Sequence, residues 1–298
     1  MLEFIASDMD GTLLDQTLEI PQENIDAIMH TYRLGIPFVV CTGRNFTEAK
    51  VPLDNAGIRC PIIGLNGAIQ FDREGNVEFE ISIDDQVALE LIDYGTKQGF
   101  YLEAMTSKNV YSSSKTERIK MISKLISEQN PDLSVDEISQ RATQSHEVNS
   151  IDYREDLKKL ITEEQQRIVK IVYISEEGRS AFESSWKEIE QEYEDLYVTS
   201  SFYYNLEISH KDATKGQAIK RYAKDHGYNL ENTMTIGDNL NDLTMLEIAG
   251  YSYAMANAEE AVKKVAQFTT ASNYEGGVAK AINKTLELTG TVEEFNKK

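Results

Sequence analysis

The 298-residue sequence predicts an α/β protein, a doubly wound and mainly parallel sheet with an α+β unit inserted into it. Three observations carry this expectation. Short apolar runs alternate with stretches of helical period. Several of those runs stop at polar residues: D-M-D-G-T at 8–12, T-G-R at 42–44, N-G-A at 66–68 and G-D-N-L-N-D at 237–242. The alternation breaks between residues 84 and 207, where strands dominate, and then resumes. Residues 1–83 and 208–298 are therefore the expected core, and 84–207 the insert.

The run Phe4-Ile5-Ala6-Ser7 reads as a buried first strand. Alternation along a strand would put Asp8 and Asp10 on the same side at its end, and Gly11 allows a sharp turn there. In open α/β sheets this is the edge that binds ligands. Two ionised carboxylates about 5 Å apart repel by about 3 kcal/mol at an effective dielectric of about 20. A cation or a retained proton must offset that.

Between Pro21 and Gly35, residues Ile25, Ile28, Met29 and Tyr32 recur at helical spacing, with the proline in the first turn and the glycine as a stop. Pro37–Cys41 is the next strand. A strand, a helix and another strand make a parallel crossover, so Thr42, Gly43 and Arg44 emerge at the same edge as Asp8. A helix over 46–55 leads to the strand Pro61–Leu65, which ends at Asn66-Gly67-Ala68, and a hairpin pairs 69–71 with 77–83.

The insert reads as a helix at 86–98, strands at 100–104, 109–112, 167–175, 196–200 and 203–209, and a helix at 178–193. Residues 115–166 are polar and charge-mixed; helices are expected there without assignable limits. Past the insert, a helix at 214–226 is stopped by Gly227, and a strand at 233–236 runs into Gly237–Asp242. A helix at 241–249, a strand at 251–255, a short helix at 259–264, a strand at 268–270 and a helix from about Gly277 follow. The last residues, VEEFNKK, read as a frayed tail.

Thirty Lys and Arg against 50 Asp and Glu leave a net charge of -20. That argues against nucleic acid and anionic membranes as partners, and any anionic ligand needs cations placed locally. No apolar run approaches the roughly 20 residues of a membrane span, and no leader is expected. Cys41 and Cys60 match no disulfide framework or metal spacing, so a reducing cytoplasm is the expected compartment.

Each polar segment alone has an ordinary explanation. Thr42 can terminate a strand, and Asp238, Asn241 and Asp242 can cap the helix that follows them. Lys215 can be a solvated residue of a helix's first turn, although a cation there opposes the helix dipole. Together, in this order and at one sheet edge, they point to a site.

The set resembles the four motifs of the haloacid dehalogenase superfamily of phosphatases: Asp8–Leu14, Thr42–Arg44, Lys215 in T-K-G-Q-A, and Gly237–Asp242. Asn66–Ala68 and Ser272–Ala279 are similar to its Cof-type subgroup, which carries a large α/β cap where this chain has 84–207. The resemblance implies a Rossmann-like catalytic core, a cap that sets substrate specificity, and hydrolysis of phosphate monoesters with Mg²⁺. Phosphoryl-transfer chemistry, strengthened by that likeness, makes Asp8 the nucleophile and Asp10 the general acid and then base. Mg²⁺ would be held by Asp8, the Asp10 backbone carbonyl and Asp238, with Asp242 orienting Lys215 or a metal-bound water. Thr42, Gly43, Lys215 and Asn241 would hold the phosphoryl oxygens; Arg44 and Asn66 would reach the leaving group or brace the loop.

The implied substrates are small metabolites: sugar phosphates, pyridoxal phosphate or riboflavin-pathway phosphates such as 5-amino-6-(5-phospho-D-ribitylamino)uracil. The expected assembly is a monomer or homodimer. Glu103, Asn149 and Tyr153 of the insert are candidates to touch the leaving group, though each is read more simply as a surface or packing residue. A phosphomutase or phosphotransferase, and a non-enzymatic phospho-aspartate or metabolite-binding regulator, stay open as alternatives.

Overall fold

The computed structural model describes residues 1–291; the tail expected at 292–298 lies outside the described residues. The chain divides into two compact units, Met1–Ile81 with Lys211–Lys298, and Ser82–His210. The strands of the first segment are β1 (Phe4–Ser7), β2 (Phe38–Cys41), β3 (Ile62–Gly64), β4 (Ile69–Phe71) and β5 (Val77–Glu80). The second unit holds β6 (Tyr101–Met105), β7 (Val110–Ser112), β8 (Asp152–Tyr153), β9 (Lys170–Ile174), β10 (Leu196–Thr199) and β11 (Asn205–His210). The chain then returns with β12 (Thr233–Gly237), β13 (Tyr251–Ala254) and β14 (Phe268–Thr269).

The first unit is an eight-stranded sheet in the order β14-β13-β12-β1-β2-β3-β4-β5, parallel from β14 to β3 and antiparallel beyond. The chain runs outward on one side from β1 to β3, then restarts at β12 on the other side. The reversal of strand order therefore falls between β1 and β12, where such sheets open a ligand crevice at their carboxyl ends. All four residues of β1 are buried, and Ala6 pairs with Thr235 on one side and Val39 on the other. Cys41 sits at the end of an equally buried β2, and burial pushes its thiol far above the ordinary range. It is a small core residue.

β1 ends at Ser7, and the alternation expected to carry through to Asp10 stops with it. Asp8 is still extended (φ -63°, ψ 165°), but Met9–Leu13 winds into one wide helical turn broken at Asp10 and at Gly11, whose φ is +77°. The helix Gln22–Arg33 starts one residue later than expected, with Pro21 just outside it. Buried Asn24 fastens that helix by donating to Leu13 O (3.3 Å) and accepting from Ala279 N (2.9 Å). The helix expected over 241–249 is instead a tight turn, Leu240–Asp242, followed by the short helix Leu243–Leu246.

The second unit is a six-stranded sheet, β10-β11-β9-β6-β7-β8, antiparallel except for β7 and β8. Leu102, Ala104, Ile171, Tyr173, Leu206 and Ile208 form its main core. The helix Asp85–Gln98 lies close over it. A Cβ at Gly95 would stand 2.6 Å from the Tyr173 ring, so only glycine permits that approach. Residues 115–166 resolve into helices at Lys115–Gln129, Val135–Gln144, His146–Asn149 and Lys159–Thr162. Val135–Gln144 buries only Ala142, which leaves almost no apolar period to read.

The insert residues expected near the leaving group have structural partners. Glu103 is buried between the Tyr101 hydroxyl (3.0 Å) and Arg118 (2.9 Å). Asn149 donates to Thr143 O and Ser145 O, and Tyr153 donates to Val148 O. Among the described residues, no helix is long and apolar enough to cross a membrane.

Candidate active site

Adjacent parallel strands end side by side, so the residues after β1 and β12 share one edge. Asp8 follows β1 and Asp238 follows β12. Between them comes the start of the helix Lys215–His226, whose cap Thr214 accepts from Gln217 N (3.1 Å). Lys215 is its first residue and is fully buried. Its Nζ donates to Asp8 Oδ1 (2.5 Å) and Asp242 Oδ1 (2.6 Å). The other oxygen of Asp242 accepts the backbone N–H of Asp238 (2.8 Å) and of Asn239 (2.9 Å), closing the turn after β12. Thr12, delivered by the turn at Gly11, donates to Asp238 Oδ1 (2.8 Å).

The charges do not balance. Three carboxylates with ligand oxygens within 4.8 Å of one another face one ammonium. Burial, and then the charge of Asp242, holds Asp8 well above the usual carboxylate range despite Lys215. Burial and Asp242 likewise push Asp238 up to about 7, with the Thr12 hydrogen bond pulling against them. Burial pulls the Lys215 ammonium down, but Asp242 and Asp8 raise it by more, so it stays charged. A further cation is needed before all three acids ionise together. The donor set is all oxygen and suits a hard divalent ion. Asp242 already spends both oxygens on the chain, which leaves Asp8 and Asp238 with free lone pairs for it.

This gives a signed expectation. An unfolded Asp ionises near 4, whereas folded Asp238 does so at about 7. Between those values the unfolded chain binds fewer protons, so rising pH destabilises the metal-free fold. The Tm of metal-free protein, compared with Asp238→Asn, should fall from about pH 4 through about 7. A divalent ion should restore it. A pH-independent difference between the two proteins would contradict the assignment.

The other expected residues form two further groups. Asp10 is turned away from the acid cluster and onto Arg44, with Nε to Oδ2 at 2.8 Å and Nη2 to Oδ1 at 2.5 Å; its side chain is 49 % exposed. The acids that the structure gathers are thus Asp8, Asp238 and Asp242, without the Asp10 carboxylate. The change of direction after Ser7 is the reason. Thr42 is buried and its hydroxyl accepts from Arg44 N (3.1 Å), with Gly43 in the bend between them. Asn241 Nδ2 donates to Asn66 Oδ1 (3.1 Å), and both side chains are buried.

Thr12 was given no role by the sequence; its only signal is its place directly after the turning glycine. Asn66 lies in an unusual backbone. Leu65, Asn66 and Gly67 have φ of 48°, 60° and 106° in succession, the left-handed region. For a residue such as leucine that costs about 1–2 kcal/mol.

Residues 5–282 match the family model described as haloacid dehalogenase-like hydrolase. The chain belongs to that family. It is 32% identical over 290 residues to Phosphatase YwpJ of Bacillus subtilis, an alignment covering 96% of this chain and 100% of that one. Over 286 residues it is 29% identical to 5-amino-6-(5-phospho-D-ribitylamino)uracil phosphatase YwtE of the same organism, covering 96% and 98%. A solved haloacid dehalogenase-like hydrolase from B. subtilis superposes with a TM-score of 0.84 at 32% identity, over 95% of this chain and 99% of that one. The protein is accordingly a Cof-type haloacid dehalogenase-like enzyme, a phosphoric monoester hydrolase. Its acid cluster lies at the strand-order reversal between β1 and β12.

Proposed function

We propose that this hydrolase is a Mg²⁺-dependent phosphatase of small phosphorylated metabolites that works through an aspartyl-phosphate on Asp8. The observation that carries the reading is the buried Lys215 ammonium, shared between Asp8 and Asp242 beside a third acid that it cannot neutralise. Lys215 engages one oxygen of Asp8 and leaves the other to attack phosphorus in line. Asp8, Asp238 and the Asp10 backbone carbonyl are the residues we assign to Mg²⁺. When bound, Mg²⁺ neutralises the phosphoryl oxygens and the crowded acids. Lys215, the Thr42 hydroxyl, the Gly43 amide and the Asn241 amide are assigned to those oxygens. Asp242 holds Lys215 in place.

Asp10 serves as acid toward the leaving oxygen and then as base toward water. To do so its carboxyl must leave Arg44, and its half-exposed position gives it room to turn. Asp10→Asn should therefore slow both formation and hydrolysis of the phosphoenzyme, with steady-state turnover reduced about 10²- to 10⁴-fold. Rapid-quench measurement with a radiolabelled substrate checks this; unchanged steady-state turnover would remove the role.

The insert, residues 84–207, is assigned to substrate selection. The named activities of the relatives make the phosphorylated ribitylaminouracil compound the first candidate substrate. A panel of phosphorylated metabolites with Mg²⁺, ranked by kcat/KM, tests the reading, with sugar phosphates and pyridoxal phosphate as the other arms. No turnover on any member, with or without Mg²⁺, would end it. Both cysteines are free and buried, in keeping with a reducing cytoplasm.

A further inference from the structure

The left-handed run Leu65–Gly67 has partners in three parts of the catalytic unit. Leu65 N donates to Arg44 O (3.0 Å) and Asn66 N to Thr42 O (2.9 Å), so both backbone carbonyls flanking Gly43 are tied to it. Arg221, lying over the Phe79 ring at 3.3 Å, donates to Gly67 O (3.4 Å). Gly67 packs so closely on the Thr214 carbonyl, one residue before Lys215, that a Cβ there would collide with it. The Asn66 side chain accepts from Asn241, and both residues are almost fully buried. Among the described residues only Leu18 and Gln165 are further non-glycine residues with positive φ, and neither has a neighbour that shares it. Strain of this kind persists where the surroundings over-determine it.

We infer that Leu65–Gly67 is a positioning clamp for the phosphoryl-binding groups, and that Asn66 acts through Asn241 rather than on the substrate. Asn66 Oδ1 takes one N–H of the Asn241 amide and so aims the other at the bound phosphoryl oxygens. The backbone of the same loop sets the carbonyls of Thr42 and Arg44, and with them the bend that presents the Thr42 hydroxyl and the Gly43 amide. Asn66 is thus a positioning residue. Asparagine fits because its short amide tolerates the left-handed backbone and still supplies an acceptor. This inference rests on the phosphatase reading above.

The test is a double-substitution cycle on the metal-loaded enzyme with the best substrate from the metabolite panel. Asn66→Gly keeps access to positive φ and removes only the amide. Its kcat should fall about 10- to 100-fold, the scale set by small misplacements in a reacting site. KM should change by less than about threefold if ground-state binding is spared. In an Asn241→Ala background the same substitution should cost nothing more. Equal losses in both backgrounds, or no loss in the wild type, would overturn the inference while leaving the phosphatase reading intact. Absence of wild-type turnover would instead refute the reading itself. If Asn66→Gly does not fold, Arg221→Met removes the Gly67 anchor from outside the site. It should lower kcat about two- to fivefold, and by less where Asn241 is alanine, because only the Thr42 and Gly43 part of the clamp is then left to lose; an effect of equal size in both backgrounds would count against the clamp.

Discussion

Asp8→Asn should yield a folded protein whose kcat is reduced by about 10⁴-fold or more, the scale on which covalent nucleophiles are lost. The amide cannot attack phosphorus, and no neighbour can replace it. Asp238 is held by Thr12, and Asp242 spends its oxygens on Lys215 and two backbone amides. Stability should move the opposite way from activity. Asp8 is an acid whose ionisation burial and Asp242 oppose, so removing its charge relieves the cluster while the amide oxygen still accepts from Lys215. The metal-free variant should melt no lower than the wild type at pH 7–8. Thermal unfolding followed by circular dichroism, beside a phosphatase assay, checks both halves. Turnover within tenfold of wild type would remove Asp8 as nucleophile.

Lys215→Met should have the largest effect on folding as well as abolishing activity. The side chain is fully buried and is the counter-charge to both Asp8 and Asp242. Breaking a buried pair by removing one partner costs about 3–5 kcal/mol. For a protein of this size that corresponds to a fall of about 10 °C in Tm. The sign of the pH dependence identifies the cause. The loss should be greatest above pH 7, where the abandoned acids must carry charge, and smaller toward pH 5, where Asp8 and Asp238 take up protons. A Tm deficit independent of pH would show that lost packing, not unpaired charge, is responsible.

Much of this site was legible without coordinates, and particular residues show why. Asp8, Thr42 and Asp238 each lie directly after a short segment that forms a fully buried parallel strand. Parallel connection sends every such strand end to one edge. Lys215 was legible because a cation opposed the dipole at the start of its own helix. The elements hardest to read were those with little buried apolar surface, such as Val135–Gln144, whose start is marked locally by the capping box at Ser134 and the first-turn acids Asp136 and Glu137. The helix expected after Asn241 was over-long because Asn239, Asn241 and Asp242 spend their side chains on the turn and its neighbours instead of extending a helix.

The sequence by itself determined which segments reach the catalytic edge and in what order, because strand ends and helix starts are written in local patterns of apolar and polar residues. Only the tertiary structure decided which side chains meet there. The two-residue period that joined Asp8 to Asp10 holds only while the backbone is paired as a strand. β1 leaves its ladder after Ser7, so Asp10 turns to Arg44 and Asp242, brought in from β12, takes the place beside Asp8. Likewise, the pairing of Asn66 with Asn241, 175 positions apart, depends on where two loops approach in space. Local propensity carries no record of that distance.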